Sequence, residues 1–130
     1  MQKLRLGVLM RTADDWAEAA LDVIAAEGLR SLAIPDLAQR LGVTKGSFYW
    51  HFASLDALVE AALARWEAQD REALDRTAET KDARARMVQG LTESMNATRS
   101  HSLFITLASS SDPRVKAVLR RVSARRMRWI

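Results

Sequence analysis

At 130 residues the chain can build one small core, or one small domain and part of a second. Hydrophobic residues make up 48% of it, but no apolar run is long enough to span a membrane, and the absence of cysteine excludes disulfides and thiolate metal sites. The formal charge of +4 is unevenly placed: residues 114–130 hold seven of the 20 basic residues and no acid, which leaves 13 basic against 16 acidic in the other 113 residues.

The opening MQKLRLGVLMRTADD has a short apolar patch but no sustained apolar core and no small-residue cleavage site. It does not read as a signal peptide, and a cytoplasmic location is expected. Two prolines, no alternating apolar pattern and many alanines, leucines and arginines predict an all-α chain.

The first helix is expected over Ala13–Glu27. Thr12 can cap it, Asp14 and Asp15 favour its positive end, and Gly28 can end it. Trp16, Ala20, Val23 and Ile24 form one apolar face. A second helix starts near Pro35 and ends by Leu41, and a third runs from Lys45 to Trp50 or His51.

The stretch IPDLAQRLGVTKGSFYWHF, residues 34–52, is the most specific in the chain. Leu37, Leu41, Val43, Phe48 and Phe52 fall where a compact helix-turn-helix needs apolar contacts, and Ala38 falls where two helices cross closely. Gly42 stands at a turn that needs a positive φ. Thr44 can cap the following helix through its hydroxyl. The residues left facing outward are Lys45, Gly46, Ser47, Tyr49, Trp50 and His51, which with Thr44 make the candidate DNA-binding set. Lys45 and Tyr49, four apart, would share an exposed helix face, with His51 just beyond. An ordinary packed helix pair needs none of this hydrogen-bonding set. It also has no use for Gly46, which costs about 1 kcal/mol in a helix relative to alanine. The set points to sequence-specific binding of double-stranded DNA. Charge does not supply the attraction in bulk, since residues 1–52 hold six basic and six acidic residues; it must come from placement. His51 has no second histidine or carboxylate spaced to make a metal site.

A long helix follows, with Ser54 as cap and Leu55, Leu58, Val59, Ala62 and Trp66 at helical spacing, to about Thr77. AETKD interrupts it. Further helices are expected over Asp82–Thr98, around Leu103–Ala108, and from Asp112-Pro113 onward, a strong helix start. The last helix would turn Val115, Val118, Leu119 and Val122 inward and its arginines outward to solvent. It runs to Trp129 and Ile130 with no stop signal, so the chain reads as a fragment, C-terminally truncated.

From about Thr12 to Trp66 the chain resembles the tetracycline-repressor-type (TetR) family of bacterial regulators. AEAALDVIAAEG, LAQRLGVTKGSFYWHF and LDALVEAALARWE carry the likeness. The resemblance implies a three-helix DNA-binding domain with a helix-turn-helix, expected over 1–52, and a helical-bundle regulatory domain, incomplete here, over 53–130. It implies that Tyr49 and His51 contact phosphates and that Lys45 and Ser47 reach the groove. It also implies a homodimer in the full-length protein and a pocket for a small-molecule effector. Trp66, Met87, Leu91, Met95 and Phe104 are the candidate lining, although each is more simply read as bundle core. Three positions depart from the family pattern. Ala53 and Leu55 stand where lysines are usual, and Ala33 stands where a capping threonine or serine is usual.

The expected function is thus a transcriptional regulator, a repressor released by its effector. A helical protein-interaction module is the alternative. No acid-base pair or nucleophile-base pair is spaced for catalysis, and no cofactor is called for.

Overall fold

The computed structural model describes residues 11–79, 82–85, 87–88 and 98–129. All regular structure among them is helical: α1 (Ala13–Glu27), a 3-10 turn (Leu29–Ser31), α2 (Ile34–Leu41), a 3-10 helix (Lys45–Trp50), α3 (Leu55–Glu79), α4 (Thr98–Ala108) and α5 (Pro113–Trp129). Most of the helix expected over Asp82–Thr98 lies outside the described residues. The chain divides into two compact units, and the division falls inside α3, between Ala62 and Leu63.

In the first unit, α1 begins with a complete capping box. The Thr12 hydroxyl accepts from the Asp15 N–H at 3.2 Å, and the Asp15 carboxylate accepts from the Thr12 N–H at 2.8 Å. Gly28 ends the helix at φ 95°, ψ 164°, a region open essentially to glycine alone. The inward face of α1 buries Trp16, Ala20, Leu21, Val23 and Ile24 completely or nearly so. It packs on α2, which buries Leu37, Ala38 and Leu41. Leu58, Val59 and Ala62 of the first turns of α3 are buried as well, so the first compact unit extends past the aromatic-histidine stretch. Ser54 caps α3 through its hydroxyl, which accepts from the Ala57 N–H at 3.2 Å.

In the second unit α4 packs on α5, and Leu103, Leu107, Val115, Val118 and Val122 are buried. Leu119 is only half-buried. The Asp112 carboxylate caps α5, accepting from the Arg114 N–H at 2.8 Å. α3 runs on to Glu79, two residues past the expected end.

The arginines of α5 depart from expectation. Arg121 forms a two-point ion pair with Glu67, at 2.8 and 3.0 Å, and Arg125 reaches the same carboxylate at 3.6 Å. Arg126 pairs with Asp70 at 2.6 Å and lies 5.4 Å from the centre of the Phe104 ring. Glu67 and Asp70 sit one turn apart on α3, so they offer a single acidic face. Three of the arginines expected to be solvated therefore hold α5 to α3.

Candidate nucleic-acid interface

The turn between α2 and the 3-10 helix is set by local chemistry. Gly42 adopts φ 69°, ψ 31°, the left-handed conformation, and its N–H bonds the Gln39 carbonyl at 3.2 Å. The Val43 N–H bonds the Ala38 carbonyl at 3.0 Å. Together these close a Schellman motif, which reverses the chain direction out of α2.

The segment that follows is a 3-10 helix, not the α-helix that a face shared by Lys45 and Tyr49 presumes. This changes two details. The Ser47 N–H, which a capping hydroxyl would take, goes to the Thr44 carbonyl at 3.1 Å, and the Ser47 hydroxyl donates to that carbonyl at 2.7 Å. Thr44 therefore occupies the cap position without a side-chain cap bond. In addition, residues four apart in a helix of three residues per turn point about a third of a turn apart. Lys45 and Tyr49 therefore fan outward instead of lining one stripe.

Phe48 anchors the segment. It is fully buried, with Trp16 edge-on at 5.3 Å between ring centres and Phe52 stacked at 5.5 Å. Leu37 and Leu41 are buried as expected, but Val43 and Phe52, which flank the short segment on either side, are only half-buried. Around Phe48, Thr44, Lys45, Gly46 and His51 are exposed and Ser47 is half-buried. Tyr49 is 57% exposed and Trp50 86% exposed. A Cβ built on Gly46 would meet nothing closer than the Thr44 hydroxyl at 4.0 Å, so no neighbour within the chain requires glycine there.

A groove of about 450 Å³ borders this surface, lined by Arg11, Thr12, Ala13, Val43, Ser47, Trp50 and His51. Sequence reasoning passed over Arg11, which lies before the first helix and in no motif. A second cleft, lined by Arg11, Asp15, Glu18, Ala19, Asp22, Arg40 and Leu41, lies along α1.

Residues 17–62 match the family model of bacterial regulatory proteins, tetR family. Over these residues the chain is similar to the helix-turn-helix domains of that family. That family is one of regulators, not of enzymes. The chain is similar to the tetracycline repressor protein class A from transposon 1721 of Escherichia coli, with 50% identity over 50 residues, 35% of this chain and 23% of that protein. It is similar to the tetracycline repressor protein class C of Escherichia coli, with 40% identity over 67 residues, 48% and 27%. It is also similar to the HTH-type transcriptional regulator SrpR of Pseudomonas putida, with 38% identity over 47 residues, 36% and 22%. The matches thus span about a quarter of the length of these relatives.

Of the residues considered for an effector pocket, Trp66, Met87 and Phe104 fall among the described residues. Trp66 is buried, and its indole N–H donates to the Ser100 hydroxyl at 2.8 Å. Phe104 is half-buried under Arg126. Met87 is 63% exposed. Leu91 and Met95 lie outside the described residues. No helix among the described residues is long and apolar enough to cross a membrane.

Proposed function

We propose that the chain is a DNA-binding transcriptional regulator, most simply a repressor, acting in the cytoplasm. The observation that carries this reading is the split character of residues 44–51. One aromatic, Phe48, is buried to hold the segment, while Lys45, Tyr49, Trp50 and His51 are exposed around it. In this reading the 3-10 helix enters the major groove of double-stranded DNA. Thr44, Tyr49, Trp50 and His51 meet the backbone, and Lys45, Gly46 and Ser47 approach base edges. Gly46 fits the role because it lets the main chain come close to the duplex.

A homodimer of the full-length protein would place two such segments in successive major grooves of an operator with two-fold symmetry. A small-molecule effector bound near Trp66, Met87, Leu91, Met95 and Phe104 would then release the DNA. Titration of duplex DNA at rising salt tests the core of the proposal. Affinity should fall steeply with salt. No duplex binding at low salt would leave the protein-interaction reading in its place.

A further inference from the structure

We infer that Arg11 is an additional phosphate-contacting residue, which sets the edge of the DNA-facing surface. The inference rests on the DNA-binding reading above and extends it to a residue outside the helix-turn-helix. The Arg11 Nε donates to the Leu41 carbonyl at 3.3 Å. Leu41 is the last residue of α2, where helix carbonyls lack intrahelical partners and carry partial negative charge. This bond is the one hydrogen bond Arg11 makes among the described residues. A guanidinium has five N–H donors, and the anchor uses one. The terminal nitrogens can meet a phosphate with two parallel bonds. Because the side chain is already tethered, less of its freedom is lost when it does so.

Charge placement selects the side on which that phosphate lies. Arg11 lines both clefts of the first unit. In one its companions include Asp15, Glu18 and Asp22, against Arg40 as the second base. In the other there is no acid among the described lining residues, and Arg11 stands with Thr12, Ser47, Trp50 and His51. A DNA strand running past the 3-10 helix along this groove therefore meets Arg11 at its border. This cation also helps to account for how a segment with balanced charge attracts DNA.

The test is binding of the whole chain to a mixed-sequence duplex pool over a range of salt, because a phosphate contact acts on all sequences alike. Arg11→Gln keeps a donor for the Leu41 carbonyl and removes the charge. It should lower affinity about 3- to 10-fold and reduce the slope of log affinity against log salt by about 0.9. Arg11→Lys, which keeps the charge, should restore most of the slope. An Arg11→Gln slope equal to the parent's, or an Arg11→Lys slope reduced as far as that of Arg11→Gln, overturns the assignment of Arg11 and leaves the DNA-binding reading intact. Absence of salt-dependent binding by the parent chain overturns both.

Discussion

The Trp16 and Phe48 rings meet edge to face at 5.3 Å, both fully buried, and this contact ties the 3-10 helix to α1. Edge-to-face geometry adds about 0.5–1.5 kcal/mol to the burial of two large rings. A six-residue 3-10 helix has little stability of its own. The orientation of Lys45, Tyr49 and Trp50 therefore depends on Phe48. Phe48→Ala should destabilise the first unit by about 3–5 kcal/mol, read as lost hydrogen-exchange protection at Leu37–Leu41. Protection unchanged in that variant would show that the ring is not the anchor.

Two glycines in the same motif should respond oppositely to alanine. Gly42 sits in the left-handed region, so Gly42→Ala should cost about 1–2 kcal/mol of stability. Gly46 has no positive φ and open space at its Cβ, so Gly46→Ala should leave melting unchanged or raise it slightly. The same Gly46→Ala should weaken DNA binding if the main chain approaches the duplex there. Thermal melts of the pair, with one DNA titration of the Gly46 variant, check both statements.

The second unit should lose stability in acid. The hydrogen bond from Arg121 lowers the Glu67 carboxyl below its ordinary value of 4.5; burial opposes this, and the charges of Arg121 and Arg125 add to the lowering. The hydrogen bonds from the Arg114 side chain and then its N–H hold Asp112 down at about 2, from an ordinary 3.8. Both folded-state values lie below the unfolded ones. The stabilisation is therefore complete above about pH 5 and is lost as pH falls through the folded values, Asp112's near 2. Melting followed from pH 7 to 2 should show this decline. Glu67→Gln should flatten it and cost about 1–3 kcal/mol at neutral pH. A decline of the same depth in Glu67→Gln and Asp112→Asn would assign acid sensitivity to other groups.

The helix-turn-helix was legible because its determinants are local. The cap at Thr12, the small Ala38, the turn at Gly42 and the cap at Ser54 each act within a few residues, and each can be read from residue type. The 3-10 geometry of Lys45–Trp50 was not legible, because six residues are too few to show a period. Nor were the ion pairs of α5. Glu67 and Asp70 look like surface acids in sequence, and their partners Arg121 and Arg126 lie 54 and 56 residues away. Arg11 was missed for a similar reason, since its value comes from the Leu41 carbonyl 30 residues on.

The central claim is that the exposed fan around Phe48 meets DNA. Duplex titration of Lys45→Ala and Tyr49→Phe beside the parent chain, at one fixed salt concentration, tests it most directly. Both side chains are exposed, so neither change should alter melting. The account predicts that each variant binds duplex DNA more weakly, by about 0.5–2 kcal/mol or some 2- to 30-fold. Affinities equal to the parent's in both variants would contradict it.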